Sequence, residues 1–293
     1  MIVLRMFACA ICLVMAVYFI NENLQPLYRI PLPFMRSRVQ HADARPDDLG
    51  MVSYLASRWI IGPSKSSLNL SVPNRTDFSQ VGQSVFVDSL LKGRTGGFFV
   101  ECGASTGEEL SNTLFFERER GWSGLLIEAN PIFFQELLRK HRKAYLINAC
   151  LSGANTTTRV NFYPGSWYGG LNPTEHTDQP PITVQCFPLY SILLAINQTR
   201  VDYLSLDVEG SELGILRTIP FRALYIDVIG VEYRSNVNST LHELKSKARL
   251  YAIRHFFQSL GNMYKEVAKL PWGTASNRRK LDGYGLDVFY KHT

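Results

Sequence analysis

The C-terminal stretch decides the fold: residues 240–260 read TLHELKSKARLYAIRHFFQSL and residues 264–290 read YKEVAKLPWGTASNRRKLDGYGLDVFY. Thr240-x-x-Glu243 is a capping box, in which each side chain satisfies a backbone N–H left free at a helix start. The spacing predicts a helix from Thr240 to about Leu260, with Leu241, Leu244, Ala248 and Phe256 inward. Two strands follow, Tyr264 to Leu270 and Leu286 to Tyr290, with a polar loop and no helix between them. Strands joined without a crossover helix pair antiparallel. The chain therefore ends in a hairpin that closes one sheet edge, where a dinucleotide dehydrogenase would add another parallel unit.

Upstream, strands and helices alternate. A helix over Gln80–Leu91 stops at Lys92-Gly93, and Gly97–Cys102 (GFFVEC) is an apolar strand. A helix with Leu110, Leu114 and Phe115 on one face comes next, then a strand over Gly124–Glu128. Asn130-Pro131 supplies the N-cap and first position of the following helix. Ala144–Cys150 (AYLINAC) reads as the third strand. Arg159–Tyr163 and Ile182–Cys186 are short strands flanking a Gly- and Pro-containing loop, Pro164–Pro181. A helix over Leu189–Ile196, a strand over Val201–Asp207, a helix over Ser211–Thr218 and a strand over Leu224–Tyr233 complete the series. Near-continuous apolar strands alternating with helices give an α/β, doubly wound sheet covered on both faces. The antiparallel C-terminal hairpin favours a methyltransferase-type Rossmann-like sheet.

The chemistry gathers at the strand ends. Glu101-Cys102-Gly103-Ala104-Ser105-Thr106-Gly107 forms the first strand-to-helix turn. Its G-x-x-x-G spacing is not the G-x-G-x-x-G that brings backbone against a pyrophosphate. An acid before the glycines suits a cationic ligand without phosphate: S-adenosylmethionine carries a sulfonium and an ammonium, Glu101 would offset them, and Gly103 permits close backbone approach. The competing reading is a tight turn capped by Thr106-x-x-Glu109. Glu128 ends the second strand, where an acid can accept both hydroxyls of a ribose; a surface carboxylate stabilised at a helix N-terminus is the plain alternative. Asn148 and Cys150, at the end of the third, stand where an adenine would be contacted. Asp207-Val208-Glu209-Gly210 ends the fourth strand at the switch point; its two carboxylates can deprotonate a substrate hydroxyl or hold a divalent metal, and a structural turn capping the next helix is the plain alternative. The base role is the one assigned to Asp207 and Glu209, with no metal assigned, and Glu232 can join them. Trp167, Tyr168, Gly169, Gly170, His176 and Asp178 lie on a loop long enough for a lid or a packed Ω-loop.

Among the 293 residues, 46% are hydrophobic and 19% charged, which excludes a disordered chain. Part of that apolar content is N-terminal. From Ile2 to Ile20 only Arg5 interrupts the run, and as a helix it would span roughly 28 Å, close to a bilayer core. Val17, Tyr18, Phe19 and Ile20 offer no small residues for cleavage, which favours a retained signal-anchor over a cleaved signal peptide. Residues 21–76 then read as a luminal stem and 77–293 as the folded domain. Sequons at Asn69, Asn74, Asn155, Asn197 and Asn238 all follow the apolar run, as a lumen would require. Cys9 and Cys12 fall in the anchor. Of Cys102, Cys150 and Cys186, the latter two are the better candidates for a bridge. The net charge of +6 is concentrated between Lys245 and Lys280, where the only acid is Glu266. A solvated face explains it, or a patch for an acidic luminal glycan or protein cargo. Nucleic acid is disfavoured by compartment.

GGFFVECGASTGEELSNTLFFERERGWSGLLIEANP, CFPLYSILLAIN and VDYLSLDVEGSELGIL resemble the FkbM-type methyltransferase domain. Within it they are similar to the Star-like animal subgroup, which joins the domain to a signal-anchor. The likeness covers about Asp77 to Tyr290 and departs at Ser105-Thr106 and Ala129. It implies a class I S-adenosylmethionine-dependent methyltransferase acting on hydroxyl oxygens. The cofactor residues would be Glu101, Gly103, Gly107, Glu128 and Asn148, and the fourth-strand acid Asp207. Two functions stay open: a membrane-anchored luminal O-methyltransferase of the endoplasmic reticulum, Golgi or endosomal system, or a non-catalytic escort for membrane-bound growth-factor precursors.

Overall fold

The computed structural model describes residues 43–164, 180–233, 240–271 and 285–293. The apolar run at 1–20, the aromatic loop at 167–178, Asn238 and the basic residues 278–280 lie outside them. Among the described residues no helix is long and apolar enough to cross a membrane.

Helix α1 (Leu49–Arg58) is capped by Asp48, whose Oδ1 accepts the Met51 N–H at 2.8 Å, and buries Met51 and Leu55. Helix α2 (Gln83–Leu90) leads into β1 (Phe98–Cys102), α3 (Leu114–Arg120), β2 (Ser123–Ile127), α4 (Pro131–Arg139) and β3 (Tyr145–Ile147). Then come β4 (Cys150–Leu151), β5 (Thr158–Phe162), β6 (Ile182–Phe187), α5 (Leu189–Ala195), β7 (Arg200–Leu206), α6 (Glu212–Leu216) and β8 (Tyr225–Glu232). Helix α7 (Thr240–Ser259) and strands β9 (Tyr264–Pro271) and β10 (Gly285–His292) close the chain.

Seven strands form the main sheet in the order β3-β2-β1-β7-β8-β10-β9. Only β10 runs against its neighbours, so the tail is the expected antiparallel hairpin at the sheet edge. The order reverses between β1 and β7, and a crevice opens beyond their C-terminal ends. The core is apolar on both faces: Phe99, Phe116, Leu126, Leu137, Leu146, Tyr203, Val228 and Phe289 belong to one buried cluster on one face, and Val100, Leu125, Leu204 and Ile229 are buried on the other. Each such side chain contributes about 1.5–3 kcal/mol of transfer free energy.

Three expectations are corrected. The AYLINAC run is not one strand. It leaves the main sheet after Ile147, and Cys150–Leu151 joins a second, three-stranded sheet ordered β4-β6-β5. Asn148 makes the break, its amide donating back to the Glu128 and Ala129 carbonyls at 2.8 and 3.3 Å. No helix carries Leu110; α3 begins at Leu114, because Ser105, Gly107 and Leu110 all take positive φ. Helix α7 buries Ser246, Leu250, Ile253 and Phe257, while Leu241 and Leu244 stay exposed. Its inward stripe is set by the hairpin it covers: the Phe257 ring stacks on Tyr290 at 3.7 Å.

The stretch before Asp77 packs on the domain. Ile61 and Leu146 exchange backbone hydrogen bonds at 2.9 Å, covering the free edge of β3. The backbone N–H groups of Ser71 and Val72 donate to Glu108 at 2.8 and 2.7 Å.

Candidate functional site

The turns after β1 and β7 touch, and that contact founds the site. Gly103 has φ +82°, and a Cβ there would stand 2.0 Å from the Asp207 carbonyl oxygen. Only glycine meets both demands. Gly107, at φ +78°, is similar: its Cβ would fall 2.2 Å from Leu137 Cδ1. Both motif glycines therefore bring chain elements together, and of the two only Gly103 lines the cleft.

Glu101, buried at the end of β1, is committed within the protein. It accepts hydrogen bonds from Ser111 Oγ at 2.9 Å, Thr113 Oγ1 at 2.6 Å and the Asn112 backbone N–H. Burial pushes its carboxyl up, against the pull of Arg142 and these donors. The carboxylate thus draws residues 111–113 beneath the sheet end, and the Thr106-x-x-Glu109 capping box does not form at a helix start. Arg142, fully buried, completes the support: it donates to Glu117 Oε2 at 2.9 Å and to the Gly107 carbonyl. Nothing in the sequence marked Arg142, because its partners lie 25 and 35 residues away.

Glu128 follows the last residue of β2. Its Oε2 accepts the Ser105 N–H at 2.6 Å and its Oε1 the Asn130 N–H at 2.7 Å. A carboxylate offers about four acceptor positions, so lone pairs remain. Burial raises its pKa to about 7, opposed by those backbone donors. Asn148 does not line the cleft; it holds the turn that carries Glu128. Cys150 does line it, and is bonded to Cys186 in the expected disulfide between paired positions of β4 and β6.

The cleft encloses about 1050 Å³, open mouth included, between the ends of β1, β2, β4 and β7. Glu101, Gly103, Glu128, Asp207 and Glu209 share its wall. Two buried polar atoms beside it have no hydrogen-bond partner: Ser105 Oγ and Asn112 Oδ1. Asn112 Nδ2 donates to Ser205 Oγ at 3.0 Å, which leaves the oxygen as the free end.

At the β7 end the wall is acidic. Oxygens of Asp207, Glu209 and Glu232 lie within 4.8 Å of one another. Glu209 sits at φ +53° on the turn, and Glu212 Oε1 accepts the Val208 and Gly210 N–H groups at 3.1 and 3.0 Å. Asp287 joins from β10, accepting from Gln83 Nε2 at 2.8 Å. Burial is the main cause that lifts the Asp207 carboxyl well above the usual range, with repulsion from Glu209 and Asp287 behind it. Burial and Glu212 raise Glu209 to about 7. Chemically, this wall offers Glu209 and Asp287 at about 7 and 6, with Asp207 held well above the usual carboxylate range, as proton acceptors beside the cleft.

The strand order, the hairpin and a cleft with an acid at the end of β2 define the S-adenosylmethionine-dependent methyltransferase class of fold. Residues 101–262 match the methyltransferase FkbM domain, over half of the chain, and the protein belongs to that family. No curated protein matches it. Among solved structures it is similar to a methyltransferase FkbM from Methylobacillus flagellatus KT, at 16% identity and TM-score 0.42, over 67% of this chain and 44% of that one. The chain thus spans less than half the length of that neighbour. It is also similar to a methyltransferase from Geobacter sulfurreducens in complex with S-adenosyl-L-homocysteine, at 15% identity and TM-score 0.37, over 68% and 69% of the two chains. A precorrin-6y C5,15-methyltransferase from Geobacter metallireducens GS-15 aligns at 16% identity and TM-score 0.36, over 78% and 95%.

Proposed function

We propose that the cleft binds S-adenosylmethionine and that the protein transfers its methyl group to a hydroxyl oxygen. The observation that carries the reading is Glu128, a buried carboxylate beside the cleft with lone pairs left over, near the unpartnered Ser105 Oγ and Asn112 Oδ1. These residues fit the cofactor chemically: acceptors dominate, and among the described residues no Lys or Arg lines the cleft to meet a phosphate. Glu128 would hold the ribose hydroxyls, and Asn112 Oδ1 is an acceptor for a cationic or N–H group.

Bound there, S-adenosylmethionine supplies an electrophilic methyl group. Asp207 then has one task, to take the proton of the acceptor hydroxyl. Burial and then repulsion from Glu209 raise its proton affinity, while a hydrogen bond with Glu232 opposes the rise. The turn at Gly103 fixes Asp207 against the end of β1, so acceptor and donor would meet in one orientation. Calorimetry of the purified protein with S-adenosylmethionine tests this: binding that Glu128→Ala weakens by about tenfold or more is expected. No heat at millimolar ligand, or an affinity unchanged by the substitution, overturns it.

The second reading is a membrane-tethered escort of the Star-like kind, with the same fold and no methyl transfer. One observation favours it: Glu101 is satisfied by Ser111, Asn112 and Thr113, so retaining that acid does not require a ligand. Type II anchoring by residues 1–20 and a luminal domain in the endoplasmic reticulum, Golgi or endosomal system accompany either reading. They are supported by the disulfide and by the exposure of Asn69, Asn74, Asn155 and Asn197. Exposed Lys245, Lys265 and Lys269 support an acidic luminal partner, although Arg254 is already paired with Glu266 at 2.6 Å. A mobility shift on enzymatic deglycosylation is expected, and an unshifted band removes the lumen.

A further inference from the structure

The acidic wall is more than a base needs. Asp207, Glu209, Glu212, Glu232 and Asp287 converge there from the ends of β7, β8 and β10. Glu212 is satisfied by its own turn and Asp287 by Gln83. Arg249 is the cation on this side, its guanidinium against Gly210, and it acts on Glu209 and Glu212. Asp207 and Glu232 share a side-chain hydrogen bond and both face Glu209. Glu232 is 6% exposed, and its Oε2 is buried with no hydrogen-bond partner. A buried, unpartnered carboxylate oxygen in a like-charged cluster is costly unless a cation or a proton sits against it.

We propose that Asp207, Glu209 and Glu232 form a binding site for one hard divalent cation, of the magnesium, manganese or calcium class. All three ligands are oxygens, the donors such ions select. Oxygens bound to one ion at about 2.0–2.6 Å stand up to about 4–5 Å apart, and the three carboxylates offer oxygens within 4.8 Å of one another. Asp207 and Glu209 also line the cleft, so the ion would keep open positions towards it for water or an acceptor oxygen. An oxygen held there becomes more acidic, which points to acceptors that can chelate through neighbouring hydroxyls. One oxygen from each carboxylate suffices, so the base role of Asp207 can stay with its other oxygen. The site does not rest on methyl transfer, since the ion can bind whether or not the cofactor does.

Manganese titrated into the purified full-length protein, read by electron paramagnetic resonance, tests the inference. One equivalent bound is expected, weakened more than about tenfold by Glu232→Gln and unchanged by Asp88→Asn, a surface ion-pair residue. Thermal melting supplies the second readout. In chelator, Glu232→Gln should melt at or above the wild type, because a buried repulsion is removed; with manganese, only the wild type should gain. If Glu232→Gln does not fold, Glu209→Gln, on a half-buried turn, takes its place. A wild type that binds no manganese, or variants that bind it as well as the wild type, overturns the site. A failure of S-adenosylmethionine to bind would sink the proposed function and leave this result unaffected.

Discussion

Glu128 Oε2 accepts the Ser105 backbone N–H at 2.6 Å, so the acid at the end of β2 holds the loop that leaves β1. One carboxylate thereby shapes the cleft and faces its contents. Glu128→Ala should weaken S-adenosylhomocysteine binding by about 1.5–3 kcal/mol, roughly ten- to a hundredfold. It should also lower the melting temperature of the free protein, because two buried N–H groups lose their acceptor. Glu128→Gln, which keeps an acceptor, should cost less in both. Calorimetry and melting curves on the three proteins check the order.

The pH dependence of the two properties should run in opposite directions. The folded pKa of Glu128, about 7, lies above its ordinary 4.5. Between these values the folded state holds a proton that the unfolded state has released. Its contribution to stability is full below about pH 4.5 and is lost as pH rises through 7. Glu209 at about 7 and Asp287 at about 6 act in the same sense. The melting temperature in chelator should therefore fall from pH 5 to pH 8. Nucleoside affinity should rise over pH 6 to 8, as Glu128 becomes the stronger acceptor. Parallel trends would remove Glu128 from the ribose role.

Arg142 and Glu117 form a fully buried ion pair at 2.9 Å. Arg142→Met alone strands a buried carboxylate and should cost about 3–5 kcal/mol of stability. The double variant Arg142→Met, Glu117→Leu should recover much of that. Ligand binding should not recover with it, because Arg142 also holds the Gly107 carbonyl under the cleft. Chemical denaturation and calorimetry on both variants separate the two effects.

Gly103→Ala should destabilise by at least about 2 kcal/mol and abolish ligand binding. The added Cβ collides with the Asp207 carbonyl at a φ that alanine avoids. Gly62→Ala, where nothing lies within 4 Å, is the control.

Reduction of Cys150–Cys186, a bridge spanning 36 residues, should cost about 2–4 kcal/mol. Peptide mapping without reductant should recover the two cysteines linked. Cys102 should stay unmodified in the native protein, since burial pushes its thiol far above the reactive range.

What could be read from the sequence was what repeats locally. Apolar runs such as GFFVEC and VDYLSL marked strands because both sheet faces are covered, and the absence of a helix before Leu286 marked the hairpin. Acids at strand ends were legible because the fold puts the crevice there. Residues whose meaning comes from distant partners were not: Arg142, Asn112 and the internal use of Glu101 need the folded chain. Helix α7 misled for another reason. It carries apolar residues on two sides, with Leu241, Leu244 and Tyr251 exposed at 59%, 57% and 73%, so periodicity alone cannot choose the face. The choice is made by the hairpin rings beneath Phe257.

The contacts that residues 61–72 make with Leu146 and Glu108 bear on how the protein can be shortened. A chain begun at Asp77 would have every strand of the main sheet and yet expose the β3 edge as a template for a second copy. It would also strip Glu108 of two of its donors. Such a fragment should aggregate or bind ligand poorly for reasons unrelated to chemistry, whereas a chain begun ahead of Ile61 keeps both contacts.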